Sequence, residues 1–453
     1  MSGTGTSSAT VDLLVLGGGM AGLSAAAWSV RQGRSVVLVE TGELGGSALH
    51  AGFIWTAPSL DVLREAIPDG DPRLGGRLIE DFEPAVEWVR SLDVECQPAV
   101  EVLRFGRGHQ TSLLNYLRAC ELIVRDDPRS EIVLGGAARR LLVEDGEVRG
   151  AELLLASGET QTVRAEATLL ATGGFQGDPE LRASLIHPQA RDIPLRGNWY
   201  SKGDGLRLGS EAGAAFGPED AGFYGHLMPS GVSFAEHDDF VALSLYYSEH
   251  ALLLNLDSER FVDETVGDHL NTMALLEQPE ARGLIVSDSR VREEWIMRPY
   301  VEGVRPVDTF DLCYRRGARC AVAEDLDELA LMPPEWGYDG AAVRQALVDF
   351  NRACADGSLD PPRRFDAAPI QDPPFYVIEV VPAITFTFGG LRIDPEAHVL
   401  DGDGHPIPGL HAAGADAGGL YVRAYAGGIA AALIFGLRAA RTALETAAVG
   451  SPR

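Results

Sequence analysis

Three glycines near the amino terminus have a spacing that is typical of phosphate binding. Gly17, Gly19 and Gly22 follow one another as G-x-G-x-x-G. The first permits a tight turn, the second lets the backbone approach a pyrophosphate, and the third allows close packing of a helix. Glu40 follows 18 residues after Gly22, where a carboxylate accepts hydrogen bonds from the hydroxyls of an adenosine ribose. Because an acid at this place repels a 2′-phosphate, the pattern disfavours NADP.

The elements around these residues are those that such a site needs. The apolar run from Val11 to Leu16 predicts a strand that is buried on both faces. A helix is predicted from Ala21 to about Gln32, ended by Gly33, and its positive amino terminus points at the phosphates. The run SVVLVE predicts a second buried strand that ends at Glu40. The order predicts a dinucleotide site, and the alternative is a glycine-rich structural turn without a ligand.

A second loop of small residues follows the acid. Gly45, Gly46, Ser47 and Gly52 make a segment that can lie flat against a ligand, and the serine can donate to a phosphate or a ring. A nicotinamide cofactor gives no reason for this loop here. A flavin does, because its ring system extends beyond the pyrophosphate. The alternative is an ordinary glycine-rich connection.

Later strand ends return to the same predicted edge. The strand ATLLATGGF ends in Thr172, Gly173 and Gly174, which we expect beside the dinucleotide. Asp204 is predicted as the N-cap of the next helix. The segment PIPGLHAAGADAGG predicts another strand that runs into a glycine-rich loop. The long terminal helix begins near Gly427 and Gly428, whose N–H groups are available to an anion or a ring oxygen.

The chain as a whole is predicted to be α/β, a Rossmann-like domain with an inserted α+β cap domain. Residues 10–235 and 381–453 form the two parts of the dinucleotide-binding domain, residues 236–380 form the cap that binds substrate, and residues 1–9 form a disordered tail. Helices are expected over 58–130, near 321–332 and over 341–355. A small antiparallel layer with turns at Asp145-Gly146 and Ser157-Gly158 is expected before residue 170.

Composition narrows the classes of partner. The formal net charge is −28, with 38 basic and 66 acidic side chains, which argues against nucleic acid or an anionic membrane surface as a partner. The five cysteines are scattered without a C-x-x-C pair, so we expect free thiols in a reducing compartment and no metal site. The most apolar run is rich in Ala and Gly, and we expect a packed helix there instead of a membrane span. A cytoplasmic location is predicted.

Three separated blocks together resemble one family. They are VLGGGMAGLSAA with VVLVE, the ATGGF strand end, and GGLRID through VLDGDGHPIPGLHAAGADAGG to YAGG. With ERFVDE in the predicted cap, they make the chain similar to the fumarate reductase/succinate dehydrogenase flavoprotein superfamily, nearer to its 3-ketosteroid Δ1-dehydrogenase-like members than to its fumarate reductases. The resemblance implies FAD and a substrate held between flavin and cap. Where succinate dehydrogenases attach flavin through a histidine, this chain has Ser47, so noncovalent FAD is expected.

The resemblance, added to the glycine patterns, gives the predicted cofactor-binding set. It comprises Gly17, Gly19, Met20, Ala21, Gly22, Glu40, Gly45, Gly46, Ser47, Gly52, Ala171, Thr172, Gly173, Gly174, Asp204, Gly414, Asp416, Gly427, Gly428 and Ile429.

Departures from the family bear on the substrate. Members that reduce fumarate hold two carboxylates with arginines and histidines, and at the matching positions this chain has Tyr247, Asp268, Phe386 and Tyr425. Aromatic rings and an acid are poor partners for a dianion. An apolar ketone or enone is therefore the expected substrate, and the residues predicted to contact it are Phe386, His226, Tyr246 and Gly427.

The resemblance also suggests catalytic roles. The ketosteroid dehydrogenases have a tyrosine and a nearby glycine at the place of Tyr425, where donors stabilise the oxygen of an enolate. Asp268 or its neighbour His269 stands at the position of the base, although the ketosteroid enzymes use tyrosine there, and Tyr247 is a further catalytic candidate. The alternatives are that Tyr425 only packs and that Asp268 only caps a helix.

Three functions remain open from the sequence. The leading hypothesis is an FAD-dependent dehydrogenase or reductase acting on a CH–CH bond beside a carbonyl, with a separate electron acceptor or donor. The second is a flavin-dependent oxidase or hydroxylase that uses oxygen. The third is a dinucleotide-binding protein that has lost catalysis.

Overall fold

The structure is a computed structural model that describes residues 10–233, 239–299 and 306–450. The predicted tail, residues 1–9, lies outside the described residues. The chain divides into two compact units, which we call the first unit (Met1–Leu181, Gly197–Gly222 and Phe386–Arg453) and the second unit (Arg182–Arg196 and Phe223–Thr385). The predicted cap, residues 236–380, lies within the second unit.

The strands of the described residues have the following bounds. They are β1 (Val11–Leu16), β2 (Val36–Glu40), β3 (Phe53–Thr56), β4 (Val100–Val102), β5 (Gly106–Gln110), β6 (Glu131–Leu134), β7 (Ala137–Glu144), β8 (Glu147–Leu154), β9 (Thr160–Leu170), β10 (Phe223–Pro229), β11 (Leu252–Asn255), β12 (Gly283–Ser287), β13 (Cys320–Ala323), β14 (Phe375–Thr387), β15 (Leu391–Arg392), β16 (His398–Leu400), β17 (Pro406–Ala412) and β18 (Ala417–Gly418).

The α-helices of the same residues alternate with these strands. They are α1 (Met20–Arg31), α2 (Leu60–Ala66), α3 (Pro72–Glu80), α4 (Phe82–Arg90), α5 (Leu113–Asp126), α6 (Pro179–Leu185), α7 (Asp204–Glu211), α8 (Asp239–Ala242), α9 (Asp268–Leu276), α10 (Ser289–Val291), α11 (Thr309–Arg315), α12 (Leu326–Leu329), α13 (Gly340–Asp356) and α14 (Gly428–Gly450).

The main sheet of the first unit is parallel at its centre. Among the described residues its strands run in the order β16-β17-β9-β1-β2-β6, and β1 pairs in parallel with both β2 and β9. Residues Leu13 to Leu16 of β1 are buried, and α1 and α14 pack against this strand, as the apolar sequence of these residues predicts. The predicted antiparallel layer is confirmed, since β7 pairs with β8 and β8 with β9. The α/β fold class is thereby confirmed.

A three-stranded sheet replaces part of the predicted helical region. The prediction of helices over 58–130 is right for α2 to α5 and wrong for β4 and β5, which pair antiparallel with each other while β5 also pairs with β3. The sequence of β5, GRGHQ, has little strand propensity. A side chain at Gly106 or Gly108 would lie 2.5 Å or 2.2 Å from atoms of Trp55. The Trp55 side chain thus lies against both glycines, and a larger residue at either position would collide with it.

The second unit is built on an antiparallel sheet with an apolar core. Strand β12 is fully buried between β11 and β14. The prediction of a helix from residue 321 is wrong at its start, because Cys320–Ala323 forms β13 and pairs with β14, and only the short α12 follows. A short apolar run such as CAVA does not distinguish a strand from a helix by periodicity. The predicted helix over 341–355 is confirmed as α13.

A buried ion pair fixes the ERFVDE segment of the second unit. Glu264 is fully buried and accepts from Arg260 Nη2 at 2.8 Å, from Arg363 Nε at 3.2 Å and from the backbone N–H of Leu253 at 3.1 Å. Removing a carboxylate from such a group leaves buried guanidinium charge without compensation.

We expect Glu264→Ala to lower the free energy of unfolding by about 3–5 kcal/mol, because it leaves Arg363 buried beside an empty position. Thermal unfolding followed by circular dichroism measures the loss. The matched control is Asp349→Ala, which removes the exposed partner of Arg352 and should cost about 0–1 kcal/mol. Equal effects of the two substitutions would contradict this assignment.

Among the described residues, no helix is both long enough and apolar enough to cross a membrane.

Candidate functional site

The carboxyl ends of four parallel strands meet at one edge of the main sheet. Leu16 at the end of β1 pairs with Val39 of β2 and with Leu170 of β9, and Leu170 pairs with Ala412 at the end of β17. The turns that follow these strands therefore lie side by side. This edge is where ligands bind in open α/β sheets.

The three glycines of the first turn have different physical roles. An ideal Cβ on Gly17, whose φ is +107°, would lie 2.1 Å from the carbonyl oxygen of Ala171, and one on Gly22 would lie 1.9 Å from the carbonyl oxygen of Gly17. Both are glycine because the protein's own backbone fills the space. Gly19 has an ordinary φ of −80°, and a Cβ there would meet no protein atom within 4 Å. Its open space lies at the amino terminus of α1, where Met20 and Ala21 begin the helix.

Glu40 is held at the end of β2 by the backbone. Its carboxylate accepts the N–H of Gly18 and the N–H of Gly42, each at 2.7 Å, and the residue is buried. A carboxylate has about four acceptor positions. Two of these positions fix the side chain beside the first turn, and the others are available to a ribose.

The second glycine loop lies against the first turn. The Gly45 N–H donates to the carbonyl oxygen of Gly18 at 2.8 Å, and Gly45 has a φ of +104°. Residues Gly46–His50 form one 3₁₀ turn that contains the half-buried Ser47. Gly52 is exposed just before β3. The structure thus brings this predicted loop next to the predicted pyrophosphate position.

A buried aspartate ties together the loops after β9 and β17. Asp416 is fully buried, and its carboxylate accepts the backbone N–H and the hydroxyl of Thr172, and the N–H of Gly174 at 3.1 Å. Burial, partly offset by these hydrogen bonds, raises the pKa of Asp416 to about 6. Gly173 lies between these donors with a φ of +97°. Asp416 therefore organises the edge of the sheet.

Helix α7 begins beside this aspartate. The Thr172 hydroxyl accepts the N–H of Gly205 at 2.9 Å. The predicted N-cap at Asp204 is wrong, because Gly203 with a φ of +84° occupies that position and Asp204 is the first helical residue. A glycine that reaches the left-handed region replaces the side-chain cap. Asp204 instead places its charge in the first turn, where it favours the helix dipole.

The last predicted loops also reach this edge. Gly414, with a φ of +69°, brings its backbone to α1, since a Cβ there would lie 3.5 Å from the Cβ of Ala21. Gly427 has a φ of +92°, and a Cβ there would lie 1.8 Å from the Trp55 carbonyl oxygen. Gly428 and Ile429 are the first residues of the 23-residue α14, so their N–H groups have no acceptor within the helix.

These residues fit FAD. The open space at Gly19 beside a helix amino terminus suits a pyrophosphate, Glu40 suits an adenosine ribose, and further backbone loops follow along the same edge. The residues that would hold the cofactor all belong to the first unit. When bound, FAD supplies or accepts a hydride equivalent.

An aromatic cluster stands next to the start of α14. The Tyr425 ring is half-buried and contacts four other rings, with centroid distances of 5.4 Å to Trp55, 5.9 Å to Phe386, 6.4 Å to Phe388 and 5.6 Å to Tyr421. Tyr421 is buried, and its hydroxyl donates to the carbonyl oxygens of Ala426 and Gly427 at 3.0 Å and 2.9 Å. Tyr421 thus holds the loop that carries Tyr425.

A polar cluster lies in the second unit. His226 Nδ1 and Asp268 Oδ2 are 2.5 Å apart, and His226 Nε2 and the Tyr224 hydroxyl are 2.8 Å apart. The His226 ring also contacts the rings of Tyr246 at 5.0 Å and Tyr224 at 4.9 Å, and Tyr224 contacts His269 at 5.6 Å. The structure therefore brings together four of the predicted residues: His226, Tyr246, Asp268 and His269.

Burial controls the charges in this cluster. Burial holds the pKa of His226 well below its usual value, with Arg196 and His269 acting in the same direction. Burial raises the pKa of Asp268 well above its usual value, against the N–H of Leu227 and the charge of Arg196. Burial therefore favours the neutral imidazole of His226 and the neutral carboxyl group of Asp268.

Asp268 does not cap α9. The N-cap is Gly267, which has no side-chain capping bond. The Asp268 carboxylate instead accepts the backbone N–H of Leu227 at 3.2 Å and the Ser248 hydroxyl at 3.4 Å. The capping alternative is therefore wrong, because this side chain is directed at β10 and not at its own helix.

Tyr247 is not brought into this cluster. Its ring is part of the apolar core of the second unit and is 5% exposed. Burial raises the pKa of its phenol well above the usual value, and Cys313, Cys320 and Asp308 act in the same direction. We do not propose Tyr247 as a catalytic residue, because a phenol in an apolar core has no access to a substrate.

Two residues of the polar cluster were missed by the sequence analysis. Tyr224 precedes His226 by two positions on β10, which places both side chains on one face of the strand. That signal was present in the printed sequence. Arg196 lies in Arg182–Arg196, a segment of the second unit that is separated in the sequence from the rest of that unit. Its Nη1 donates to the Thr385 hydroxyl at 2.8 Å. No spacing in the sequence indicates it.

Three side chains that could bind a metal lie close together because they belong to one tight turn. The ligand atoms of Asp401, Asp403 and His405 lie within 4.8 Å of one another on the surface. Asp401 already accepts the backbone N–H groups of Asp403 and His405 at 2.9 Å each. The cluster is what a tight turn between β16 and β17 requires.

Comparison with known families agrees with the site. A family model described as an FAD binding domain matches residues 117–430, and one described as an FAD dependent oxidoreductase matches residues 12–175. Because the first covers more than half of the chain, this protein belongs to the FAD-binding family of the fumarate reductase/succinate dehydrogenase flavoprotein superfamily. It is an FAD-dependent oxidoreductase.

Individual proteins that resemble this chain have several different activities. The chain is 28% identical over 447 residues to a urocanate reductase of Eggerthella lenta, covering 90% of this chain and 70% of that protein. It is 27% identical over 461 residues to a vinyl phenol reductase of Lactiplantibacillus plantarum, covering 90% of each. The solved 3-ketosteroid Δ1-dehydrogenase of Sterolibacterium denitrificans shares the fold, with a TM-score of 0.74 at 19% identity over 96% of this chain and 100% of that one.

The different roles of the glycines give a matched pair of variants. Gly19→Ala should leave the stability of the apoprotein unchanged and weaken FAD binding at least about tenfold, or ~1.4 kcal/mol, since its methyl group enters the space left for the ligand. Gly22→Ala should destabilise the apoprotein by about 1–3 kcal/mol through overpacking. Thermal unfolding of the apoprotein and FAD titration measure the two effects. An unchanged FAD affinity in Gly19→Ala would show that the space is not the cofactor's.

Proposed function

We propose that this FAD-dependent oxidoreductase interconverts a CH–CH bond and a C=C bond adjacent to the carbonyl of an apolar ketone. The observation that carries the proposal is the aromatic cluster around Tyr425, at the start of α14 in the FAD-binding unit. Rings offer an apolar surface to an apolar or aromatic substrate. The relatives support chemistry on C=C bonds, since they include a urocanate reductase and a vinyl phenol reductase. This chain also shares its fold with a ketosteroid dehydrogenase.

The chemistry needs a donor for one oxygen. Removing a proton from the carbon beside a carbonyl builds negative charge on the carbonyl oxygen, and a preorganised donor stabilises that charge. We propose that the Tyr425 hydroxyl and the N–H groups at the start of α14 are these donors. Tyr425 is half-buried and lies just before α14, whose first N–H groups have no acceptor within the helix.

A second candidate is reduction of an alkene conjugated with an aromatic ring. The aromatic cluster fits such a substrate, and the vinyl phenol reductase matches this chain over nine-tenths of both proteins. The two candidates differ in whether a carbonyl or a phenol ring accepts the charge that develops in the reaction.

Anaerobic visible spectra test the function. Saturated cyclic ketones and saturated 3-ketosteroids are added to the oxidised protein, and the proposal expects at least one of them to bleach the flavin band. The dithionite-reduced protein is then mixed with enones, 4-vinylphenol, urocanate or oxygen. Reoxidation by 4-vinylphenol alone would favour the second candidate, and rapid reoxidation by oxygen alone would favour an oxidase or hydroxylase. If no compound changes the spectrum, the protein binds FAD without this catalysis.

Tyr425→Phe should slow flavin reduction by the reactive ketone about 10²–10³-fold, because it removes a donor to the developing oxyanion. Stopped-flow absorbance gives the rate. Tyr314→Phe, at a tyrosine that is 66% exposed, is the control and should react at the wild-type rate. A wild-type rate in Tyr425→Phe would limit this residue to packing.

We propose that the FAD is noncovalent, since Ser47 stands where related enzymes carry the attaching histidine. Acid precipitation of the purified yellow protein should leave a colourless pellet and release all FAD into the supernatant, which absorbance quantifies. A pellet that stays yellow would show a covalent bond elsewhere in the chain.

A further inference from the structure

Three side chains form a hydrogen-bonded line that runs from the buried interior of the second unit outwards. Asp268 and His226 are 7% and 3% exposed, whereas Tyr224 is half-buried. The line runs from Asp268 Oδ2 to His226 Nδ1 at 2.5 Å and from His226 Nε2 to the Tyr224 hydroxyl at 2.8 Å. The line thus joins a buried aspartate–histidine pair to the hydroxyl of the partly exposed Tyr224.

The line is held rigidly at its buried end. Asp268 Oδ1 accepts the backbone N–H of Leu227 and the Ser248 hydroxyl. Thr272 Oγ1 donates to the Asp268 carbonyl oxygen at 2.7 Å, which fixes the first turn of α9. Because the imidazole is oriented by a third group, the arrangement satisfies the geometric requirement for acid–base relays.

We propose that Tyr224 is the residue that exchanges a proton with the substrate, and that His226 and Asp268 are positioning residues that supply and store that proton. This inference rests on the proposed function. It replaces the direct roles that the sequence suggested for Asp268 and His269. Asp268 is too buried to reach a substrate, whereas Tyr224 is partly exposed and bonded to the one imidazole that Asp268 holds.

The proton balance works in both directions. For desaturation, the Tyr224 oxygen takes the proton from the carbon beside the carbonyl while its own proton passes to His226 Nε2, and Asp268 Oδ2 accepts a hydrogen bond from the Nδ1–H of the imidazolium that forms. For reduction, the Tyr224 hydroxyl gives its proton to that carbon and recovers one from Nε2–H. In each direction, the proton that the carbon beside the carbonyl loses or gains is the proton that the relay gains or loses. The second C–H bond, on the neighbouring carbon, breaks or forms as a hydride equivalent, which is the chemistry that bound FAD would supply.

The surrounding charges set how readily the relay holds its proton. Arg196 lowers the pKa of both His226 and Asp268, while Glu249 raises that of Asp268. Burial opposes charge on either partner, so the imidazolium forms only as the proton arrives from Tyr224. The groups that face the pair are Arg196, Tyr246, Ser248, Glu249 and His269.

The test separates proton exchange from hydride transfer. The holoenzyme is reduced with dithionite, so that it cannot oxidise a saturated ketone, and is mixed in D₂O with cyclohexanone or a saturated 3-ketosteroid. Proton NMR follows deuterium entering the carbon beside the carbonyl. The wild-type protein should catalyse this exchange, Tyr224→Phe should lose it by about 10²–10⁴-fold, and the exposed Tyr314→Phe should keep it. FAD content and thermal unfolding confirm that the variants are folded.

Two positioning variants add a readout that packing alone would not move. In His226→Gln and Asp268→Asn the exchange should be slower and its pH profile shifted, with KM for the ketone unchanged. The strongly downfield NMR signal expected for the proton between His226 and Asp268 should vanish in both and persist, shifted, in Tyr224→Phe.

The outcomes are distinguishable. Exchange that continues at the wild-type rate in Tyr224→Phe would overturn the relay and leave the proposed function intact. If neither ketone bleaches the flavin of the wild-type protein, and the protein catalyses deuterium exchange into neither ketone, the proposed function is overturned together with the role of the relay.

Discussion

The functional edge of the first unit depends on one buried carboxylate. Asp416 accepts from Thr172 and Gly174, and Thr172 in turn accepts from Gly205. Loops that follow β9 and β17 and the start of α7 are thereby fixed to one another. An unpaired carboxylate at that depth would cost several kcal/mol, so the loops cannot separate without exposing or neutralising it. Burial raises the pKa of Asp416 to about 6, because desolvation of the carboxylate outweighs the hydrogen bonds from Thr172 and Gly174 that favour its charged form.

The two units present different chemistry. The first unit offers backbone N–H groups, glycines and aromatic rings, which suit a dinucleotide and an apolar substrate. The second unit offers a buried line of titratable groups, with Tyr224 at its accessible end. Desaturation of a C–C bond needs both a hydride acceptor and a proton acceptor. The first unit offers the binding residues for a cofactor that accepts hydride, and the second unit offers side chains that can accept a proton.

The signals that predict the cofactor site are local. Gly17, Gly19, Gly22 and Glu40 belong to one βαβ unit, where spacing alone fixes geometry. Secondary structure failed where contacts from outside a segment decided it. The strand GRGHQ pairs with β3 and β4 and leaves room for Trp55 at Gly106 and Gly108. The strand at Cys320–Ala323 pairs with β14.

The sequence by itself determined the α/β class, the parallel strands, the FAD-binding turns and the membership of a flavoprotein family, because each is written in short-range glycine spacing and hydrophobic periodicity. Only the tertiary structure decided the roles of Asp268, Tyr247 and Arg196. Asp268 looked like a helix cap or a base until the fold directed it at His226, and Tyr247 looked catalytic until the fold buried it among apolar side chains. Such roles depend on which side chains, far apart in the sequence, lie close together in a buried space of low dielectric constant. The order of residues along the chain does not specify the distances between them.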